Sequence, residues 1–254
     1  MYTKVADYTV VVTRPEEQSR DLLALLKARG FDTVACPTVK VEGLNLTPAH
    51  EGLLEALQQG RVDWLVFSSA NGVRELLEAQ KKFGHKPEIK VGVQVAVQGR
   101  ATAAVFEKLY GRAPELVPQR QVSEGLLEEL LQRGVNGRRI VAVKGADGRS
   151  VLSDGLKSGG AEVEELILYR TVPVQFELKK LEDLISKRGS KTVFLFFSPS
   201  ALKSVAAYNH LLERAKIAVI GPVTASAARE LGYEVFVEAQ DQSDQGIVAA
   251  LENA

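Results

Sequence analysis

The length, composition and charge of the chain exclude several classes of protein. Its 254 residues, 45% hydrophobic and 25% charged, can bury a substantial core and are close to the globular average. The 32 basic side chains are balanced by 32 acidic ones, so no net field attracts nucleic acid or a membrane surface. The single cysteine excludes an internal disulfide, and the sequence has neither an export leader nor a run of about 20 apolar residues. We therefore expect a cytoplasmic protein that binds no nucleic acid and no membrane.

Short apolar runs rich in Val, Ile and Phe alternate with amphipathic stretches of helical spacing along the whole chain. This alternation predicts parallel α/β architecture. The chain should form two five-stranded sheets. The predicted strands are, in the first half, Tyr8 to Thr13, Phe31 to Cys36, Val62 to Phe67, Val93 to Val97 and Glu115 to Val117, and in the second half, Ile140 to Val143, Glu162 to Leu168, Thr192 to Phe197, Ile217 to Ile220 and Glu234 to Val237.

Three short segments of the first half return in the second half, in the same order. This internal repeat predicts two similar, flavodoxin-like parallel-sheet α/β lobes, with an insertion near Phe83 to Glu88 in the first copy. A cleft between two lobes is a usual place for a small ligand, so we expect a ligand cleft there. The repeated segments are 11–14 and 141–144, 64–68 and 194–198, and 99–102 and 221–224.

The best linkers between the lobes do not lie at the midpoint of the chain. Residues 37–43 and 169–174 read as extended segments with a proline, at equivalent places in the two copies. Cutting there predicts a continuous lobe over 39–170. The remaining residues, 1–36 plus 173–254, form a discontinuous lobe, and the paired linkers should run side by side as a two-stranded connection.

Two Gly-x-x-Thr turns follow predicted strands at equivalent positions of the repeat. The turns are Gly99 to Thr102 and Gly221 to Thr224. Each lets backbone approach a ligand and then opens a helix, whose free N–H groups and dipole suit an anion. The structural alternative is that Thr102 and Thr224 only cap their helices. Parallel sheets bind ligands at the carboxyl ends of their strands, which is where these turns fall.

Hydroxyl and amide side chains gather at two further strand ends. Ser68, Ser69 and Asn71 follow one predicted strand, and Ser198 and Ser200 follow its repeat. These side chains can bind a ligand, or the serines can simply satisfy the free donors of a helix start. The sequence alone leaves both interpretations open.

Tyr169 comes at the end of a predicted strand, in one of the linkers. Its phenol, with an ordinary pKa of about 10, keeps its proton at neutral pH and could serve as a general acid. The alternative is a tyrosine that packs in the hinge with its hydroxyl on backbone. The charges of Arg14, Arg100, Lys144 and Arg149 fall near the same region and can pair with a ligand or face solvent.

The three histidines indicate neither a metal site nor a catalytic triad. His50, His85 and His210 have no partner spacing among them, and the structural interpretation for each is a surface residue. We therefore expect neither a metal nor a cofactor.

Taken together, the order and spacing of these pieces resemble the uroporphyrinogen-III synthase family along essentially the whole chain. The resemblance implies two α/β lobes joined by a two-stranded linker, with the N-terminal strand-helix-strand belonging to the C-terminal lobe. The matching pieces are Val-Thr-Arg14-Pro, Phe-Ser68-Ser-Ala-Asn71-Gly-Val, Gly99-x-x-Thr102, Lys144-Gly-x-x-Gly-Arg149, Leu-Tyr169-Arg-Thr, Phe-Ser198-Pro-Ser200 and Gly221-Pro-x-Thr224.

The resemblance also implies a reaction. Enzymes of that family close the linear tetrapyrrole hydroxymethylbilane to uroporphyrinogen III. The last ring is inverted through a spiro intermediate and water is released, without cofactor or metal. The resemblance further implies a monomer in porphyrin biosynthesis, with transient handover of substrate from hydroxymethylbilane synthase.

By the same resemblance, Tyr169 assists departure of the terminal hydroxyl. Val223 and the Gln98-Gly99-Arg100 run depart from the usual family pattern. The alternative function is a cytosolic two-lobed sensor that binds a small molecule without catalysis. The substrate contacts implied are Arg14, Ser68, Ser69, Asn71, Gly99, Thr102, Lys144, Arg149, Ser198, Ser200, Gly221 and Thr224.

Overall fold

Residues 8–254, which are the residues that the computed structural model describes, contain ten strands and eleven α-helices. Residues 1–7, the start of the predicted segment 1–36, lie outside the described residues. The strands are β1 (Thr9–Val12), β2 (Asp32–Ala35), β3 (Val39–Gly43), β4 (Trp64–Phe67), β5 (Gln94–Val97), β6 (Arg139–Gly145), β7 (Glu162–Pro173), β8 (Thr192–Phe196), β9 (Lys216–Val219) and β10 (Val237–Glu238). The helices are α1 (Glu16–Ala28), α2 (Pro48–Gln58), α3 (Ala70–Lys82), α4 (Arg100–Tyr110), α5 (Ser123–Gln132), α6 (Val151–Ser158), α7 (Leu178–Arg188), α8 (Pro199–Ala206), α9 (Asn209–Leu212), α10 (Pro222–Glu230) and α11 (Asp244–Glu252).

These elements form two compact units, each built on its own five-stranded sheet. Unit 1 comprises Met1–Val41 and Thr171–Ala254, and unit 2 comprises Glu42–Arg170. The sheet of unit 1 has the order β10-β9-β8-β1-β2, and that of unit 2 has the order β3-β7-β6-β4-β5. In unit 1 all four neighbouring pairs of this order are parallel. In unit 2 the pairs β7–β6, β6–β4 and β4–β5 are parallel. The predicted fold class, two similar parallel-sheet α/β units, is confirmed.

The internal repeat corresponds to equivalent places in the two sheets. In unit 1, β1 lies between β2 and β8, with β9 beyond; in unit 2, β6 lies between β7 and β4, with β5 beyond. Four strands of each sheet therefore correspond and have the order 2-1-3-4 of a flavodoxin-like sheet, counted from β1 in unit 1 and from β6 in unit 2. The fifth strand differs, because β10 lies beyond β9 in unit 1 and β3 lies beyond β7 in unit 2. The repeated segments at 11–14 and 141–144 belong to the equivalent strands β1 and β6 and to the residues that follow β1.

The last predicted strand, Glu234 to Val237, is observed at Val237–Glu238, and two further predicted strands differ from the observed ones. The strand expected at Glu115 to Val117 is only a single bridge between Leu116 and Ala96. Pro114 and Pro118 flank it and supply no backbone N–H, which prevents a longer ladder. The other strand, β7, continues past Leu168 through the linker to Pro173 because β3 lies beside it. Tyr169 is therefore inside a strand rather than at its end.

The apolar runs are buried because the strands they form lie between helices. The side chains of β1 alternate between the two faces of its sheet, so Val11 packs in one core cluster while Val10 and Val12 pack in the other. In unit 2, Trp64 and Val66 of β4 join Leu126 and Leu130 of α5 in a third cluster. Within residues 8–254, no helix combines the length and the apolar character that crossing a membrane requires.

Replacing Gly52 with Ala should stabilise the chain. Gly52 is exposed inside α2, and a Cβ built there meets nothing within 4 Å. Alanine restricts the unfolded chain and favours the helix, so the free energy of unfolding should rise by about 0.5–1 kcal/mol in urea titrations. In Gly30→Ala the new methyl group also has room, but φ at position 30 is +88°. Because this left-handed conformation is unfavourable for alanine, the free energy of unfolding should fall by about 1 kcal/mol. Stabilisation of both variants, or of neither, would contradict this account.

Candidate active site

Tyr169 is the most enclosed of the candidate residues that carry a titratable side chain. Its side chain lies in unit 2 and is 6% exposed, and its phenol oxygen is 2.6 Å from the Ser69 hydroxyl oxygen. Burial raises the pKa of Tyr169, and the negative charge of Glu75 raises it further. The hydrogen bond with Ser69 and one from the Gly145 N–H oppose this rise. The net shift is upward, so the phenol is protonated at neutral pH.

A register shift between two strands brings Tyr169 to Gly145. Lys144 of β6 pairs with Ile167 of β7, but the next residue, Gly145, pairs with Tyr169, so Leu168 is an extra residue in the ladder. The shift lays the Tyr169 ring over the Gly145 backbone. A Cβ at position 145 would stand 2.7 Å from one ring carbon and 2.9 Å from another. Glycine is therefore the residue that allows this close approach.

Ser69 and Ser198 occupy equivalent positions in the two units. The Ser69 hydroxyl caps α3 by accepting the Gly72 N–H at 3.2 Å, and Ser198 caps α8 by accepting the Ala201 N–H at 3.2 Å. Ser69, rather than Ser68, is therefore the counterpart of Ser198. Both cap a helix, as the structural interpretation predicts, but Ser69 also contacts Tyr169, so capping is only part of its role.

The remaining polar candidates of this group lie at the same strand ends. Ser68 is the residue between β4 and Ser69. Asn71 is in the first turn of α3, where its amide oxygen accepts a hydrogen bond from Arg74 at 3.4 Å. Ser200 is in the first turn of α8. The parallel strands place each set at the carboxyl edge of its own sheet.

The two Gly-x-x-Thr turns begin helices that have no side-chain cap. Gly99 precedes α4 and Gly221 precedes α10, while Thr102 and Thr224 are 6% and 2% exposed. The interpretation of the threonines as helix caps is therefore wrong. Glycine occupies the cap position in both helices, and the threonines lie inside the first turn.

A glutamine side chain, which the sequence analysis did not identify, covers each of these turns. The Gln121 amide oxygen accepts the Arg100 N–H at 2.9 Å, and a Cβ at Gly99 would lie 2.7 Å from that oxygen. In unit 1, a Cβ at Gly221 would lie 2.8 Å from the Gln242 amide carbon. The repeated spacing Gln121-x-x-x-Gly125 and Gln242-x-x-x-Gly246 is the signal that could have revealed both glutamines.

Three predicted cations are paired with carboxylates of their own unit. Arg14 bonds Asp244 through both guanidinium nitrogens, at 2.9 and 2.8 Å, and lies over the Phe197 ring. The other two pairs are in unit 2: Lys144, which is buried, with Glu165 at 3.2 Å, and Arg149 with Glu124 at 2.7 Å. Any substrate carboxylate must compete with these partners. Asp244 lies in the first turn of α11, and Glu124 lies in the first turn of α5.

The carboxyl groups of Glu124 and Glu165 should make the fold sensitive to acid. A hydrogen bond from its own backbone N–H and another from Arg149 lower the pKa of Glu124, and hydrogen bonds from Ser153 and Lys144 lower the pKa of Glu165. Because both folded pKa values lie below the ordinary 4.5, these carboxylates stabilise the folded chain above pH 4.5. That stabilisation disappears as the pH falls through the folded values.

Urea titrations at a series of pH values from about 6 to 3 measure this effect. In Glu124→Gln the side chain no longer titrates, so the decline of the unfolding free energy with acid should be shallower than in the wild type. Glu75 contributes with the opposite sign, since burial raises its pKa. An acid slope that Glu124→Gln leaves unchanged would show that the Arg149 pair contributes nothing.

The histidines take part in structural contacts. His50 forms a capping box with Thr47 at the start of α2, with its Nδ1 2.7 Å from the Thr47 hydroxyl. The ring of His85 bonds the Gln58 side chain, and His210 is 3.1 Å from Glu182. Among residues 8–254 no three His, Cys, Asp or Glu side chains are grouped so that they could hold a metal ion.

The fold and the site define an α/β protein of two parallel-sheet units, with hydroxyls, helix starts and a buried phenol at the carboxyl edges of its sheets. The family model described as uroporphyrinogen-III synthase HemD matches residues 20–249. The chain belongs to the uroporphyrinogen-III synthase family, as the resemblance implies, and is an enzyme of tetrapyrrole biosynthesis.

Relatives from distant organisms are similar over nearly the whole chain. A uroporphyrinogen-III synthase of Synechococcus elongatus is 29% identical over 252 residues, covering 96% of this chain and 94% of the relative. A chloroplastic uroporphyrinogen-III synthase of Oryza sativa is 30% identical, covering 89% and 73%. The crystal structure of a mutant uroporphyrinogen III synthase from Thermus thermophilus has a TM-score of 0.62 at 22% identity, covering 97% of this chain and all of that one. This last likeness bears on the fold alone.

Proposed function

We propose that the chain closes hydroxymethylbilane to uroporphyrinogen III with inversion of the last ring, and that Tyr169 is the general acid. The observation that carries the role of Tyr169 is its buried phenol, 2.6 Å from the Ser69 hydroxyl. Burial raises the pKa of Tyr169, so the phenol holds a proton at the pH of the cell. An acid for this reaction needs that proton.

The proposed reaction begins at the terminal hydroxymethyl carbon of the substrate. Tyr169 gives its proton to the hydroxyl oxygen, the C–O bond breaks, and water leaves while the pyrrole nitrogen supplies the electron pair. The resulting azafulvene is attacked by the substituted carbon of the last ring, which forms the spiro intermediate. Fragmentation and closure at the other α-carbon release one proton, which restores the phenol. Water is thus the only by-product.

Binding of the substrate carboxylates is assigned to neutral donors. Arg14, Lys144 and Arg149 already pair with carboxylates of the chain, so their charge is largely satisfied. The backbone N–H groups at the Gly99 and Gly221 helix starts suit an anion, which has to displace the Gln121 and Gln242 side chains that cover these turns. Hydroxyls and an amide at the same strand ends add donors that need no net positive charge. The residues assigned are Ser68, Ser69, Asn71, Thr102, Ser198, Ser200 and Thr224, with the three cations as secondary contacts.

A groove of unit 2 supports this assignment. It has a volume of about 470 Å³ and runs along α4 beside the Gly99 turn. Arg100 and Gln121 line it together with the apolar Val117 and Pro118. An apolar wall with a guanidinium and an amide suits a pyrrole ring that carries a carboxylate side chain.

The organisation of the protein completes the proposal. One lobe is assigned to residues 1–36 plus 173–254, and the other to residues 39–170. The linkers are assigned to residues 37–43 and 169–174. The enzyme is assigned as a cytoplasmic monomer that receives its unstable substrate from hydroxymethylbilane synthase. No observation favours the alternative, a sensor without catalysis.

One assay tests the proposed function. Freshly generated hydroxymethylbilane is supplied to the chain, and the two uroporphyrinogen isomers are separated after oxidation. The inverted isomer III should form faster than the spontaneous closure to isomer I in a sample without protein. Isomer I alone, at the spontaneous rate, would falsify the proposal.

A further inference from the structure

The phenol oxygen of Tyr169 has a hydrogen-bond partner in unit 2, the Ser69 hydroxyl, whose oxygen is 2.6 Å away. A serine hydroxyl can donate or accept a hydrogen bond. Ser69 can therefore donate to the phenol oxygen once that oxygen loses its proton.

We propose that Ser69 is a positioning residue that acts through Tyr169, because its hydroxyl is within hydrogen-bond distance of the phenol oxygen. The inference rests on the proposed function, in which Tyr169 is the acid. It replaces the assignment of Ser69 to a substrate carboxylate. The contact with Ser69, together with the Gly145 backbone under the ring, holds the phenol in one orientation. The Ser69 hydroxyl also stabilises the phenolate that remains when the proton has gone to the leaving hydroxyl.

The helix cap explains why Ser69 suits this role. Its oxygen accepts the Gly72 N–H at 3.2 Å, which fixes the side chain against the start of α3. The hydroxyl proton then points away from the helix, and an oxygen that already accepts a hydrogen bond is a better donor. Donors placed in advance on a developing oxyanion lower the barrier because they need no rearrangement.

Unit 1 offers a matched comparison. Ser198 makes the same cap contact at the same 3.2 Å, to Ala201, at the equivalent position of the other sheet. Ser198→Ala and Ser69→Ala therefore remove equal caps, and Ser69→Ala also removes the contact with the phenol. Any effect of Ser69→Ala on Tyr169 that Ser198→Ala lacks comes from the phenol contact.

A double-mutant cycle of turnover tests the role of Ser69. Ser69→Ala should lower kcat about tenfold with little change in KM, since a hydrogen bond to a charged oxygen is lost. In a Tyr169→Phe background the same change should have no further effect on kcat. Ser69→Thr keeps the hydroxyl and the cap and should restore most of the activity. A raised KM, or a loss that adds fully to that of Tyr169→Phe, would mean that Ser69 contacts substrate directly and would overturn the proposal.

A second readout does not depend on activity. The tyrosine doublet of the ultraviolet resonance Raman spectrum reports hydrogen bonding of a phenol, and subtracting the spectrum of Tyr169→Phe isolates the contribution of Tyr169. That contribution should change in Ser69→Ala and stay as in the wild type in Ser198→Ala. An unchanged contribution in Ser69→Ala would overturn the proposed hydrogen bond between Ser69 and Tyr169. If the wild-type chain made only isomer I, the proposed function would fail. The Raman result would still show whether Ser69 is hydrogen-bonded to the Tyr169 phenol.

Discussion

Tyr169→Phe should lower kcat for formation of isomer III by at least tenfold and leave the chain folded. The substitution removes one oxygen and keeps the ring, so the packing over Gly145 is preserved. Loss of general acid catalysis typically lowers the rate by about 100- to 10,000-fold. A tenfold loss of kcat is therefore a conservative expectation. As enzymatic turnover slows, spontaneous closure competes better, and isomer I should form a larger share of the product. Steady-state kinetics with isomer separation measures both effects.

The control is Tyr110→Phe, a second buried tyrosine of unit 2. Its hydroxyl donates to the Gln80 amide oxygen at 3.0 Å, and its ring stacks on Phe106. It loses a buried hydrogen bond as Tyr169→Phe does, at a net cost of about 1 kcal/mol in stability, but it should keep the wild-type kcat. Wild-type turnover in a folded Tyr169→Phe variant would remove Tyr169 from the role of the acid.

Gly145→Ala should also lower kcat at least tenfold, by displacing the phenol. The new methyl group would stand 2.7 Å from a carbon of the Tyr169 ring, which is closer than carbon atoms approach without strain. The ring is buried and cannot swing freely into solvent, so either the ring or the shifted register of β6 and β7 must move. Overpacking of this kind costs about 1–3 kcal/mol of stability, and a misplacement near 1 Å can lower the rate by about 100-fold.

The readouts for Gly145→Ala are kcat, urea unfolding and the Raman doublet of Tyr169. Gly52→Ala, where the added methyl meets nothing within 4 Å, is the control and should be fully active. A Gly145→Ala variant with the wild-type kcat and an unmoved Tyr169 signal would show that the close approach has no role in positioning the phenol.

The sequence predicts the sheets because each strand is a distinct apolar run and the repeat supplies every run twice. It also predicts which polar residues lie at the carboxyl edges, since parallel pairing brings those ends together. The strand at Leu116 is the exception, because two prolines limit it to a bridge. The flanking prolines are visible in the sequence, and their missing N–H groups could have signalled the short ladder.

The site is less accessible to sequence analysis because its decisive contacts join residues far apart in the chain. Nothing local to Tyr169 indicates that Leu168 is an extra residue in the ladder, or that the phenol reaches Ser69. The pairing of Arg14 with Asp244 likewise depends on how α11 packs, not on either residue's neighbours. Periodicity describes faces of helices and strands, whereas these contacts depend on register and on side-chain direction.

The position of β1 inside the sheet of unit 1 has a consequence for folding during synthesis. In the sheet, Thr9 of β1 stands beside Thr192 of β8, so β1 and α1 leave the ribosome long before their main partner exists. All of unit 2 is synthesised in that interval and has its whole sheet available first. We expect unit 2 to fold during translation while the first strand and helix wait with apolar surface exposed. Late, non-local parallel pairing of this kind is slow and prone to aggregation. We therefore expect the yield of soluble recombinant protein to depend on temperature, because the N-terminal strand and helix stay unpaired until unit 1 is complete.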